Sequence, residues 1–165
     1  MKNFISGLCI LVLFSCQTTN TSAEAEEEAI KAAITGETKA YMEKDYKKWA
    51  SFWDHSKDVL RLDVTKSGFE QKRGWENNGK NWGTFFKENP EPITSIFANS
   101  NYLILHDKHL SWVAFDQTWT TESGEITTAK ATITLVKKSD SWKIISYTAI
   151  QHQLEESIEN SMGRE

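Results

Sequence analysis

The chain of 165 residues has two cysteines, Cys9 and Cys16, and none after residue 16. A domain built from the remainder can form no disulfide, no thiolate nucleophile and no cysteine metal site. It also lacks a basic surplus, with 19 Lys and Arg against 23 Asp and Glu, so nucleic acid is not an expected partner. No apolar run reaches the roughly 20 residues that a bilayer-spanning helix needs. There is no Gly-rich phosphate loop and no internal repeat. His106 and His109 flank a predicted tight turn with only Asp107 nearby, too few ligands for zinc, which needs three or four that converge. No metal or other cofactor is expected.

Aromatic residues, by contrast, are plentiful: seven Trp, eight Phe and four Tyr. Large rings fill a core or line a cavity, and their number does not choose between the two.

The first residues read as a secretory signal, with Lys2 ahead of an apolar stretch from Phe4 to Phe14 and the small Ser15 just before Cys16. The box Leu13-Phe14-Ser15-Cys16 resembles the lipoprotein signal of bacteria. The resemblance implies removal of residues 1–15 and a lipidated Cys16 as the new N-terminus. Each buried acyl methylene contributes about 0.8 kcal/mol, so more than one chain anchors durably. The expected location is the bacterial cell envelope, on the outer membrane, because Gln17 is not the acidic residue that retains some lipoproteins at the inner one. The 150 residues that follow the signal, with net charge −5, suit one domain with one core.

Residues 16–24 read as the lipidated cysteine and a polar tether, Gln17 to Ala23 being small and polar, and residues 153–165 as a polar tail. The acidic run Glu24–Glu28 is expected at a helix start, where the macrodipole favours it. From Ala25 to Lys44 the positions Ala29, Ile30, Ala33, Ile34, Ala40 and Tyr41 recur at helical spacing. Asp45 caps a second helix containing Tyr46, Trp49, Ala50, Phe52 and Trp53. Asp58 to Thr65 alternates as a strand with Leu60, Leu62 and Val64 on one face, and a turn follows at Gly68. Gly74 to Lys87 reads as a third helix closed by Asn89-Pro90. Four β-rich stretches, Ile93 to His106, Leu110 to Glu122, Ile126 to Lys138 and Trp142 to Gln151, are joined by hairpin-length turns and imply an antiparallel meander.

This order, with Asp45-Tyr46-Lys47-Lys48-Trp49-Ala50-Ser51-Phe52-Trp53 on the second helix, Trp112-Val113-Ala114-Phe115 in the sheet and Trp142-Lys143-Ile144 opening the last strand, resembles the nuclear transport factor 2-like superfamily and its SnoaL-like group over residues 25–152. The resemblance implies an α+β fold of the cystatin-like kind: a cone in which three N-terminal helices pack on a curved antiparallel sheet and leave a pocket. It does not choose a function, since the group includes isomerases, cyclases and dehydratases beside members without known activity.

Four residues are weak catalytic candidates. Asp54 and His55 form an acid/base pair on paper, although adjacent residues after a helix more often make a cap and turn. His152 shares parity with Trp142, Ile144, Ser146, Thr148 and Ile150. Either Asp116 or Gln117 faces the cone, and the more apolar face, with Val113, Phe115 and Trp119, carries Gln117. The expected pocket is lined by Tyr41, Trp49, Trp53, Trp75, Trp82, Gln117 and Trp119. The leading expectation is a small, largely apolar ligand in a Trp-walled cone. A SnoaL-like acid/base enzyme and a homodimer through the sheet, whose Thr128, Lys130, Thr132 and Thr134 form a polar face, are the alternatives.

Overall fold

The computed structural model describes residues 18–152, and Cys16, the signal segment and the tail lie outside them. Helix α1 runs Thr18–Met42. It buries Ile30, Ala33, Ile34, Glu37 and Thr38, one stripe at helical spacing. It begins before the expected start, so most of the segment read as a tether is helical. No Gly or Pro stops the helix there, and its residues Ser22 to Ala25 are exposed to solvent. The acidic run is consequently not in the first turn. Glu26 instead pairs with Lys137 and accepts the Trp142 indole N–H at 3.1 Å, which ties α1 to the sheet. Gly36 leaves room for the Phe52 ring, since a Cβ there would lie 2.5 Å from it and the ring would have to shift.

Lys44, in the left-handed region at φ 58°, turns the chain into α2 (Tyr46–Ser51), whose first turn is capped by the Asp45 carboxylate accepting from the Lys48 N–H at 2.9 Å. The hairpin β1 (Leu60–Thr65) and β2 (Gly68–Arg73) follows, then α3 (Trp75–Glu88) and four strands: β3 (Ile96–His106), β4 (Leu110–Thr120), β5 (Ile126–Lys138) and β6 (Ser141–His152).

The sheet order is β2-β1-β6-β5-β4-β3. The last four strands form the expected antiparallel meander, but β1 pairs with β6 in parallel, so the sheet is mixed rather than antiparallel. The Gly68 turn is also followed directly by a strand that the sequence pattern does not signal. β2 buries no face, so it has no apolar alternation, and hairpin closure onto β1 holds it. Register irregularities at Ser100/Leu103 and Thr134/Leu135 add curvature. The core joins Ile30 and Ile34 of α1 and the α2 rings to Val113, Phe115, Ile133, Leu135 and Ile144 of the sheet.

One strand reverses the usual pattern. Arg61 and Asp63 stand opposite Tyr147 and Ala149 on the inner face of the sheet, whereas Leu60 and Leu62 stand opposite Ser146 and Thr148 on the outer one. β1 therefore turns its charges inward.

Candidate functional site: a polar cavity beside an indole cluster

A cavity of about 400 Å³ opens between the C-terminal half of α1, the Ile93–Ser95 segment and the inner faces of β1, β4, β5 and β6. Its volume falls at the small end of ligand pockets, about 300–1,000 Å³. Ala129, Ala131 and Ala149 are buried on neighbouring strands, and Ala149 lies on the cavity wall. Short side chains at the centre of a curved sheet leave space that larger ones would fill.

The inner wall is charged. Arg61 donates to Asp63 through Nε at 2.8 Å and Nη2 at 3.1 Å, and its Nη1 lies 3.9 Å from Glu37 Oε1. The guanidinium also faces the rings of Tyr147 at 4.5 Å and Trp82 at 4.7 Å. Burial opposes its charge, but Asp63 together with the phenol of Tyr147 and Glu37 outweighs it, so Arg61 holds its proton more tightly than usual. Burial pushes the Glu37 carboxyl up, and the attraction of Arg61 and two indole hydrogen bonds oppose it without cancelling it. Beside this group, Tyr147 donates to Gln117 Oε1 at 2.9 Å, and Gln117 Nε2 donates to Thr38 Oγ1 at 3.4 Å. Burial also raises both Tyr147 and Tyr41, so each stays a neutral phenol.

Of the pocket residues expected from sequence, Tyr41, Gln117 and Trp119 line this cavity, whereas Trp49, Trp53, Trp75 and Trp82 do not. Those four pack against one another, Trp49 lying 5.5 Å from Trp53, 5.9 Å from Trp75 and 5.5 Å from Trp82 between ring centres. Rings from α2, from Trp53 just after it and from α3 at this spacing close the space between them. Two of them act on the cavity indirectly: Trp49 Nε1 donates to Glu37 Oε1 at 2.6 Å and Trp53 Nε1 donates to the same oxygen at 3.3 Å. The indoles thus fix the carboxyl that forms part of the wall.

The catalytic candidates fall elsewhere. Asp54 is buried against Lys138; burial alone would raise it, yet that ammonium and the Ser56 hydroxyl bring its carboxyl below the usual range. His55 does not pair with Asp54: its Nε2 lies 2.9 Å from the Ala50 carbonyl and its ring stacks on Trp75 at 4.0 Å. Asp116 points to the outer face, bonded to Lys130 and Asn101. Gln117, on the inner face, is 1 % exposed. The backbone of His152 pairs with Thr128, and its imidazole lies outside the described residues. Glu37, Arg61 and Asp63 went unnoticed in the sequence. The available signals were Glu37 on the buried stripe of α1, in phase with Ile30 and Ile34, and the charge alternation Arg61-Leu62-Asp63 in a strand. Among the described residues no group of three or more His, Cys, Asp or Glu is placed to hold a metal ion, and no helix is long and apolar enough to cross a membrane.

No protein-family model matches the sequence, and no curated protein matches it significantly. Solved structures do match. A Pseudomonas putida NTF2-like protein of unknown function superposes with a TM-score of 0.62 at 15% identity, covering 79% of this chain and 87% of the other. The chain has the NTF2-like fold. A Nostoc punctiforme protein described as having a cystatin-like fold gives 0.62 at 11% identity over 79% of this chain and 93% of its own. An S. rosetta CaMKII hub gives 0.60 at 15% identity over 76% and 95%. The NTF2-like architecture accounts for the helices gathered on one side of the curved sheet. It leaves the use of the cavity to its side chains.

Proposed function

We propose that this protein is a lipid-anchored envelope domain that binds a small, predominantly polar organic molecule in its cone. The observation that carries the reading is a cavity of about 400 Å³ walled by fixed polar groups, among them Glu37, Arg61, Asp63 and Gln117. Buried charges left as a wall rather than replaced by apolar packing cost stability. Their retention beside open space fits recognition. Because the four indoles pack against one another and do not line the cavity, a largely apolar ligand is no longer the better match.

Native mass spectrometry of the full-length protein from its own host tests this. A retained small mass is expected, and Ala149→Leu, which fills the cavity, should lose it. Absence of any retained mass across several preparations, or its survival in Ala149→Leu, would count against the reading. The anchor has a separate test: Cys16→Ala should abolish acyl labelling and release the protein, and unchanged membrane association would overturn it.

A second reading is acid/base catalysis, favoured by Glu37, whose carboxyl is raised by burial toward the range where a general acid or base works best. If it holds, Glu37→Gln should bind the retained molecule yet fail to convert it. A third is self-association through the outer sheet face, where Leu103, Leu105 and Trp112 are exposed near Thr132 and Thr134. The hub described for the S. rosetta neighbour is consistent with it. Sedimentation should then show a dimer that Trp112→Arg converts to a monomer.

A further inference from the structure

The polar groups of the cavity differ in whether they already have protein partners. Arg61 carries a bidentate contact to Asp63 and lies beside Glu37, so its guanidinium is already committed to two carboxyl groups. Of the uncharged polar groups, Thr38, Gln117, Tyr147 and Thr121 are already hydrogen-bonded within the protein, and five more come from separate parts of the fold: Tyr41 on α1, Ser95 before β3, Trp119 on β4, Thr127 on β5 and Gln151 on β6. Among the described residues, none of these five side chains makes a hydrogen bond to another protein group. They supply hydroxyls, an amide and an indole N–H that between them both donate and accept.

We propose, on the reading that the cavity is a binding site, that its ligand is an uncharged, hydroxyl-rich molecule of the saccharide or polyol class. A ring face would lie on Trp119, with hydroxyls on Tyr41, Ser95, Thr127 and Gln151. The other classes fit worse. An anion would find Arg61 taken up by two carboxylates, and the centre has no net positive charge to offer it. A cation would have to stand beside the Arg61 guanidinium, which already faces the Tyr147 and Trp82 rings. A wholly apolar ligand would strip water from five polar groups and return no hydrogen bond, weakening binding by roughly tenfold for each group so stranded. A hydroxyl-rich ligand meets all of these conditions. Each hydroxyl donates and accepts, and the polarised C–H face of a sugar ring suits the electron-rich face of an indole.

Saturation-transfer NMR on the full-length protein in detergent tests the class. The neutral probes are glucose, galactose, N-acetylglucosamine, maltose and myo-inositol, set against benzoate, benzamidine and 2-naphthol. At least one neutral hydroxylated probe should receive saturation, and Gln151→Leu and Thr127→Val should each weaken it about threefold to tenfold. Melting curves check that both variants fold. If benzoate, benzamidine or naphthol binds and no polyol does, the class is wrong while the binding function stands. If no probe of any class binds, the class is overturned, and the retained-mass experiment decides separately whether the binding function falls with it. Polyol binding that is unchanged in the Gln151→Leu/Thr127→Val double variant would overturn the proposed site.

Discussion

The interior of this cone has two regions built on opposite principles. Around Trp49 the space between α2 and α3 is filled by rings, Trp49 being fully buried and in contact with Trp53, Trp75, Trp82 and Phe86. Toward the ends of β4, β5 and β6 the same interior is lined by alanine, threonine, glutamine and a charged triad, and it stays open. Aromatic abundance therefore builds the closed region. Small and polar residues, with Tyr41, Trp119 and Tyr147, build the site, and the two regions meet where Glu37 Oε1 accepts from Trp49 and Trp53 and where Arg61 and Tyr41 face Trp82.

Four substitutions would break or sharpen that contrast. Trp49→Ala should have the largest effect, a loss of about 3–5 kcal/mol in urea denaturation, because it opens a void in a close-packed cluster. It should also free Glu37. A loss below about 1 kcal/mol would show that the rings are not a packed core.

Arg61→Leu comes next, since removing one member of a buried charge group strands the others, at about 3 kcal/mol. The same variant should lose ligand retention in native mass spectra. Full stability would mean that the carboxylates are not held by the guanidinium.

Glu37→Gln should act through pH. Burial raises the folded-state carboxyl above its unfolded value, so the folded protein binds the proton more tightly than the unfolded chain. The stability this lends is complete below the ordinary carboxylate range and is lost as pH rises through the raised value. Wild type should therefore lose melting temperature relative to Glu37→Gln as pH rises from about 4 toward neutrality. A difference that is flat or of the opposite slope would contradict the assignment.

Asp116→Asn should have the smallest effect. Its carboxylate, held low by Lys130 and then Asn101, lies on the outer face. Unaltered ligand retention and a nearly unaltered melting midpoint are expected, since exposed ion pairs contribute little. A loss of retention would move the site to the other face of the sheet.

Much of the fold was legible because its elements repeat a period. The stripe Ile30, Ala33, Ile34 is visible as a helix face, and the Asp45 cap is visible as a side-chain type ahead of an aromatic helix. Parity on β4 likewise sorts Val113, Phe115 and Gln117 from Trp112, Ala114 and Asp116. The site was far less legible. Period alone cannot say which face of β1 is inside, and the usual assumption would put Leu60 and Leu62 inward. The parallel pairing of β1 with β6 sets Arg61 opposite Tyr147 and so reverses it. The indoles were misleading for a related reason: spacing along a helix brings rings together, but it does not tell whether another helix covers them.

The sequence by itself determined the order of the elements other than β2, the absence of thiol chemistry beyond residue 16, and which residues of most elements share a face, because each follows from residue type and local period. The tertiary structure alone decided which face became the interior, that the α3 indoles Trp75 and Trp82 pack onto Trp49, and that Glu37, Arg61 and Asp63 converge beside a cavity. Those outcomes depend on pairings between segments far apart in the chain, such as β1 with β6, and no local pattern carries that information.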